Sequence, residues 1–158
     1  MSNLSIRKCT GEDVSETAQI YYDAVRQGAA GYYDEAQRAA WAENVPETNR
    51  WRDRLLKHQT LVAQLDTRLA GFMTLDAGGH IDLAFVAPDL IGKGVARALY
   101  ERIEAEALRL GIRRLDTYAS YMARRFFELQ GWVVVRQQSV EMGDVSLTNF
   151  VMEKRLTS

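Results

Sequence analysis

The 158-residue chain is 47% hydrophobic and 26% charged, and it carries a formal net charge of −1 at pH 7. These values predict a single domain over residues 1–158 and argue against a nucleic-acid partner, and no apolar run approaches the roughly 18 residues of a membrane span. One cysteine, Cys9, and an N-terminus without an apolar leader favour a cytoplasmic protein with neither a disulfide framework nor a metal site.

The first third of the chain predicts one strand followed by helices. The strand covers Leu4 to Cys9. Apolar residues then recur on one face of a helix predicted over Glu12 to Gln27. A glycine-rich turn at Gly28 to Gly31 separates it from two further helical stretches, Asp34 to Ala42 and Glu47 to Lys57.

Three short strands come next. Thr60 to Leu65 and Arg68 to Leu75 are separated by two turn residues, which predicts a β-hairpin. A third strand, Ile81 to Val86, follows Gly78 and Gly79 and continues the antiparallel meander.

The second half of the chain opens with a long amphipathic helix from Gly94 to about Leu110. The strand after it, Arg114 to Tyr118, implies a right-handed crossover to a parallel neighbour. The remaining segments are a short helix and two strands that we expect to form a hairpin, at Ser120 to Gln130, Val133 to Val140 and Leu147 to Arg155.

This order of elements predicts an α+β fold. We expect a mixed, mostly antiparallel twisted sheet flanked by helices on both faces, with one parallel βαβ unit.

The loop before the long helix has the features of a phosphate site. Gly92 and Gly94 leave the first amides of the helix unshielded, and these amides have no partner inside the helix. The helix dipole adds partial positive charge there, and Lys93 adds a mobile cation.

Two familiar phosphate motifs do not match this loop. A Walker loop needs a different spacing and a hydroxyl residue for magnesium. A dinucleotide fingerprint needs a third glycine where Arg97 stands, although Asp116 lies about 20 residues onward, as a ribose-binding acid would.

The same residues carry a resemblance to a known family. The run VAPDLIGKGVARAL, at Val86 to Leu99, resembles the acetyl-CoA motif of the GNAT superfamily of N-acetyltransferases. The run LDTYASYMARRFFELQGW, at Leu115 to Trp132, resembles the family's second motif. AGYYDEAQRAAWA and the TNF at Thr148 to Phe150 are similar to the YafP-like bacterial branch. The resemblance implies the GNAT-like acyl-CoA acyltransferase fold and transfer of acetyl from acetyl-CoA to a primary amine, by direct attack in a ternary complex and without a metal.

The resemblance also implies the coenzyme-binding residues. The amides that would meet the pyrophosphate belong to Ile91, Gly92, Lys93, Gly94, Val95 and Ala96. Val86 would offer its backbone to the pantetheine arm, and a strand amide near Phe85 or Val86 would meet the oxygen of the tetrahedral intermediate. Ser120 and Phe127 are also expected to contact the coenzyme. Two departures stand in the second motif, because many members have Asn at the position of Ser120 and Tyr at the position of Phe127, and a phenylalanine cannot donate a proton.

Asp82 occupies the strand position where the resemblance places a catalytic base. An ammonium must lose a proton before its nitrogen can attack, and partial burial between Ile81 and Leu83 would raise the pKa of this carboxyl. The alternative is a carboxylate that ends its strand in water or pairs with an arginine. His80 points to the same face and could relay the proton, although a surface histidine in a turn is the simpler interpretation.

Tyr121 is the candidate proton donor to the departing thiolate in place of Phe127. Water, Ser120 and Tyr118 are alternatives, and the thiolate could also leave unprotonated. Tyr32, Tyr33 and Trp41 lie in the helical insert and are candidates for the wall of an amine pocket, since aromatic faces attract cations; core packing is the alternative.

A second class of function stays open at this point. The departures at Ser120 and Phe127 are compatible with a catalytically weak CoA-binding sensor or a partner-binding domain. The identity of the acceptor is not readable from the sequence, whether small molecule or peptide, and the terminal hairpin could pair across a two-fold axis in a homodimer.

Overall fold

The computed structural model describes residues 3–156 of the chain, and within that range seven strands form one sheet and five α-helices pack on it. The strands are β1 Leu4–Lys8, β2 Gln59–Leu65, β3 Arg68–Leu75, β4 His80–Val86, β5 Arg114–Ala119, β6 Val133–Met142 and β7 Val145–Arg155. The helices are α1 Val14–Asp23, α2 Glu35–Trp41, α3 Thr48–Leu56, α4 Val95–Arg109 and α5 Tyr121–Leu129. The order across the sheet is β1-β2-β3-β4-β5-β7-β6.

The predicted fold class is confirmed. Neighbouring strands are antiparallel except β4 and β5, which are parallel and connected through α4. The predicted elements lie within a few residues of their observed ends.

One predicted helix is divided. The chain that was expected to form a single helix over Glu12 to Gln27 begins with a 3₁₀ turn at Gly11–Asp13 and ends with a π-helical turn at Ala24–Gly28. Thr10 and Asp13 form a capping box that fixes the start. The π turn inserts an extra residue, which a helical periodicity read from sequence does not reveal.

The sheet has a buried apolar core on each face. On one face, α1 and α3 cover a cluster that includes Trp51, Phe72 and Leu83. On the other face, α4 and α5 cover a larger cluster that includes Leu99 and Phe127. The sheet is therefore covered on both sides, and a ligand can reach its middle strands only where two strands separate.

A β-bulge in β4 changes which side chains face each core. Leu75 pairs with Ile81 while Thr74 pairs with Leu83, so Asp82 is the extra residue on β4. Ile81 packs in the core beneath α4, whereas Leu83 packs in the core beneath α1 and α3. The bulge thus places the Asp82 carboxylate beside α3, where Arg54 meets it.

Candidate active site

The parallel strands β4 and β5 pair over only a short length. Their register consists of His80 opposite Asp116 and Ile81 opposite Thr117. Beyond these pairs β4 continues to Val86 and β5 to Ala119 without pairing to each other. A wedge-shaped gap therefore opens from Asp82 onward, toward the carboxyl ends of both strands, where α/β sheets commonly bind ligands.

The backbone amides and carbonyls of β4 point alternately toward β3 and toward this gap. The amide of Ala87 donates to the carbonyl of Ala70 at 2.8 Å. Since hydrogen-bonded pairs alternate along an antiparallel ladder, the backbone of Phe85 points to β3, and the backbone of Val86 points into the gap. The sequence expectation offered Phe85 and Val86 as alternative backbone contacts, and the ladder leaves the Val86 amide as the free one.

Gly71 allows the close approach of β3 to β4 at this point. A Cβ atom added there would lie 2.7 Å from the carbonyl oxygen of Phe85. No side chain fits at that separation, so only glycine permits β4 to lie where its free edge borders the gap.

The glycine loop lies at the wide end of the gap and has the geometry of an anion cradle. Gly92 and Gly94 both have φ of 83°, a left-handed conformation that favours glycine. Gly94 is the N-cap of α4, so the amides of Val95 and Ala96 lack acceptors within the helix. A Cβ built on Gly92 or Gly94 meets no described atom within 4 Å, so the space in front of these amides is open.

An open cavity of about 650 Å³ lies beside this loop. Ile91, Gly92, Gly94, Val95 and Ala96 line it, and the Ile91 side chain is 58% exposed. Lys93 is exposed and does not line this cavity. The loop thus presents unshielded amides to an open cavity, with an exposed lysine beside it.

A narrower, mostly apolar cavity of about 160 Å³ continues from the loop cavity along the gap. Val86, Ile91, Ala96 and Phe126 line both cavities. Phe127 is buried and contributes to the wall of the narrow one, where it offers only apolar surface. The shape and lining of this cavity suit an extended chain with few polar groups.

A third cavity, of about 140 Å³, lies at the closed end of the gap, and we call it the acceptor cavity. Phe85 and Ser120 line both this cavity and the narrow one, so the two spaces meet between them. The acceptor cavity is lined by Tyr21, Tyr33, Trp41, Arg54, Asp82, Leu83, Phe85, Tyr118, Ser120, Val140, Met142, Leu147, Thr148 and Asn149.

The Asp82 carboxylate is held in this cavity by Arg54. The guanidinium donates from Nε and Nη2 to the two carboxylate oxygens at 2.8 and 2.9 Å. This pairing lowers the pKa of Asp82 and outweighs the opposing effect of burial. The expected net rise in the pKa of Asp82 is therefore wrong, and the alternative arrangement, a carboxylate paired with an arginine, is the one observed.

His80 is not the isolated surface residue that a glycine-rich turn suggested. Its Nδ1 atom is hydrogen-bonded to the Asp116 carboxylate, and its ring lies 4.8 Å from the ring of Tyr118. The bond to Nδ1 fixes the ring orientation and leaves Nε2 as the free nitrogen. Asp116, which a dinucleotide site would use for a ribose, is thus engaged by a protein side chain.

Two of the three aromatic residues predicted for the acceptor side line the acceptor cavity, and the third does not. Tyr33 and Trp41 line the acceptor cavity, and the Tyr33 hydroxyl donates to the Thr148 carbonyl at 2.7 Å. Burial raises the pKa of Tyr33, so it stays a neutral donor. Tyr32 is 53% exposed and stacks on Tyr121 rather than lining the cavity.

Tyr121 packs against Tyr33 and does not line the acceptor cavity. Its amide donates to the Tyr33 hydroxyl at 3.3 Å, and its ring packs against Tyr33 and Phe150. It does not line the narrow cavity or the acceptor cavity, whereas its neighbour Ser120 lines both. The Ser120 Oγ accepts the amide of Ala123 at 3.2 Å and so caps α5, which leaves its O–H free to donate elsewhere.

The cavity residues that were not predicted from sequence include Arg54, Tyr21 and Asn149. Arg54 and Tyr21 belong to helices whose polar and aromatic residues are ordinary for a solvated or packed face. The Oδ1 atom of Asn149 is buried without a hydrogen-bond partner among the described residues. The TNF string that includes Asn149 was the one sequence signal in that strand.

The fold and the gap are those of an acyl-CoA acyltransferase in outline, and the comparisons with known proteins show that the chain belongs to the GNAT acetyltransferase family. The profile of the acetyltransferase (GNAT) domain matches residues 20–155. The chain is 34% identical to the uncharacterized N-acetyltransferase YafP of Escherichia coli K12 over 153 residues, which is 96% of each chain. The predicted family and its YafP-like branch are both confirmed.

Solved structures give the same result. A GCN5-related N-acetyltransferase from Rhodopseudomonas palustris is 33% identical, with a TM-score of 0.92 over 99% of this chain and 98% of that one. The protein yncA from Salmonella typhimurium, solved with its cofactor acetyl-CoA, shares the fold at 23% identity, with a TM-score of 0.74 over 99% of this chain and 96% of that one.

None of the helices in residues 3–156 is long and apolar enough to cross a membrane. Groups of three or more histidine, cysteine, aspartate or glutamate side chains placed to hold a metal ion do not occur there either.

Proposed function

We propose that this chain transfers the acetyl group of acetyl-CoA to a primary amine by direct attack in a ternary complex. The observation that carries the proposal is the continuous path along the β4–β5 gap. It runs from the unshielded amides of α4, through an apolar passage, to a small cavity that holds a carboxylate. A relative of the same fold was solved with acetyl-CoA, which supports this choice of donor.

In this proposal the coenzyme pyrophosphate binds at the glycine loop. The free amides of Val95 and Ala96 and the positive end of α4 favour an anion there, and Lys93 adds a charge that can move to it. The pantetheine arm would occupy the narrow cavity beside Val86, whose free backbone groups can pair with its amides as an added strand does.

The acetyl group would then lie between Phe85 and Ser120. Acetyl-CoA supplies an activated thioester: the amine nitrogen bonds to its carbonyl carbon, the carbon–sulfur bond breaks, and the nitrogen loses a proton. The Val86 amide points into the gap and can donate to the oxygen that becomes negative during attack.

Asp82 receives the amine proton in this proposal, directly or through a water. Arg54 keeps it ionised at neutral pH, so it attracts the ammonium form and is a weak but always available base. The departing thiolate takes its proton from water or from Ser120, whose hydroxyl lines both cavities. The prediction that Tyr121 supplies this proton stands as the alternative to be tested by substitution.

A second candidate function is a CoA-binding sensor with little turnover. The observation that favours it is the apolar surface of buried Phe127 in the narrow cavity, which gives the thiolate no proton. A thiol with a pKa of about 8.5 is nonetheless a moderate leaving group, so an absent acid slows transfer without preventing it.

Release of the CoA thiol from acetyl-CoA, measured with a panel of primary amines, tests the function. Amine-dependent thiol release with formation of the acetylated amine is the expected result. Burial raises the pKa of Cys9 to about 11, so the protein's own thiol reacts slowly with the detection reagent at neutral pH. Saturable CoA binding with no release for any amine would instead establish the sensor.

The cellular compartment and the oligomeric state stay predictions: a cytoplasmic protein, and a homodimer formed through the β6–β7 hairpin. Fractionation of cells and sedimentation of the purified protein test them.

A further inference from the structure

The acceptor cavity contains a guanidinium with unused donors. Arg54 gives Nε and Nη2 to Asp82, and within residues 3–156 its Nη1 group forms no hydrogen bond. The side chain is 45% exposed and lines the cavity. Asp82 holds the guanidinium in one orientation, so its remaining donors form a preorganised site for an anion.

The charges of the cavity wall are balanced. Arg54 and Asp82 are the charged members of the lining, and the other lining residues are neutral. The two groups lie side by side, joined by hydrogen bonds of 2.8 and 2.9 Å. A ligand that complements this wall carries an ammonium and an anion a short distance apart.

The size and the far wall of the cavity limit the rest of the ligand. Its volume of about 140 Å³ is far below the roughly 300–1,000 Å³ of pockets for drug-sized molecules. Val140, Met142 and Leu147 from the β6–β7 hairpin form an apolar side. A small aliphatic group suits that side, and a second charged group does not.

Given the proposed acetyl transfer, on which this inference rests, we propose that the acceptor is a small amino carboxylate. Its amino group lies at Asp82, its carboxylate accepts hydrogen bonds from Nη1 of Arg54, and its aliphatic side chain packs against the β6–β7 hairpin. The amino group of a free α-amino acid is separated from its carboxylate by a single carbon, which suits the adjacent positions of Asp82 and Arg54.

The test compares each aliphatic amino acid with the same molecule lacking the carboxylate, for example leucine with isoamylamine and with leucinamide. We expect kcat/KM for the best amino acid to exceed that of its matched amine by about tenfold or more. A tenfold difference corresponds to about 1.4 kcal/mol, and a charge-assisted hydrogen bond contributes about that much. An amine acetylated as well as, or better than, its amino acid overturns the inference and leaves the proposed transfer intact.

Complete inactivity on the panel also overturns the inference. Calorimetry with CoA then separates the two claims, because CoA binding without turnover of amino acids or amines removes the transfer proposal as well and points to the sensor.

Arg54→Lys distinguishes recognition of the carboxylate from a structural role. Lysine keeps the charge but loses the fork that serves Asp82 and a second anion together. We expect KM for the amino acid to rise by about tenfold while KM for the matched amine changes little. An equal loss for both substrates would overturn the proposal. Arg114→Lys, which alters another arginine–carboxylate pair away from the cavity, is the matched control and should leave both KM values unchanged.

Discussion

Phe85 on β4 and Ser120 at the start of α5 lie on opposite sides of the β4–β5 gap, and each lines both the narrow cavity and the acceptor cavity. A thioester reaching through the narrow cavity would meet an amine from the acceptor cavity between these two side chains. The reacting atoms are thereby confined by one aromatic ring and one hydroxyl, and the variants below test what each neighbouring group contributes.

Substitution of a loop glycine should weaken coenzyme binding. Gly94→Ala forces an alanine to a φ of 83°, which costs about 1–2 kcal/mol unless the loop moves. Either response disturbs the amides of Val95 and Ala96, so we expect the Kd for CoA, measured by calorimetry, to rise by about tenfold.

Gly111→Ala is the control for that variant. Gly111 has a φ of 78° and equally open space around its Cβ position, but it ends α4 far from the loop. It should lower stability to a similar extent and leave CoA affinity unchanged. Equal losses of affinity in both variants would show that the loop amides do not hold the coenzyme.

Ser120→Ala and Tyr121→Phe together identify the group that protonates the thiolate. Ser120→Ala removes the cap of α5, which costs about 1 kcal/mol of stability, and also the hydroxyl between the cavities. We expect its kcat to fall, because a thiolate that leaves unprotonated is a poorer leaving group than the protonated thiol.

Tyr121→Phe should leave kcat nearly unchanged if Ser120 or water is the donor. A fall in kcat for Tyr121→Phe, with kcat of Ser120→Ala unchanged, would return the role to Tyr121. Circular dichroism melting curves of both proteins separate the loss of the cap from the loss of chemistry.

Asp82→Asn should reduce activity and should make the free energy of unfolding less dependent on pH in acid. Removing a general base lowers kcat/KM by about a hundredfold at the lower end of the usual range. Arg54 lowers the pKa of Asp82 in the folded protein. The ionised pair therefore stabilises the fold above the unfolded-state pKa of the carboxyl, and this contribution is lost as the pH falls through the lower folded-state pKa.

The free energy of unfolding in urea, measured between about pH 5 and pH 3, tests this effect. Its slope against pH should differ between the wild type and Asp82→Asn. Asp89→Asn is the control, because Arg68 also donates to both carboxylate oxygens of Asp89, from Nη1 and Nη2, at a site where the aspartate side chain is 64% exposed. Solvent screens that pair, so Asp89→Asn should change the slope of the unfolding free energy against pH less than Asp82→Asn does. A larger change for Asp89→Asn would contradict the assignment of the stabilisation to Asp82.

Gly71→Ala should disturb the gap from outside the cavities. The new Cβ would lie 2.7 Å from the Phe85 carbonyl oxygen, so β4 must shift away from β3. We expect about 1–3 kcal/mol of destabilisation in urea unfolding and a fall in kcat, because the free edge of β4 moves with it. Gly31→Ala, where a Cβ meets nothing within 4 Å of the described structure, should be close to neutral.

The coenzyme side of the site was readable from sequence because its chemistry is local. The positive φ angles of Gly92 and Gly94, and the uncapped helix that follows, depend on neighbouring residues alone. The acceptor side was not readable in the same way. Tyr32 and Tyr33 are adjacent in sequence, yet only Tyr33 lines the cavity, because the direction of each side chain depends on packing against β7.

The amino-acid sequence by itself determined the order of strands and helices, the glycine loop and the family, since periodicity, turn residues and a contiguous motif are short-range properties. Tertiary structure alone decided the state of Asp82. Arg54 is 28 residues away in the chain and reaches it only because the bulge in β4 turns the carboxylate toward α3. A pKa depends on which charges are near in space, and pairing over that distance is set by how the sheet and helices pack.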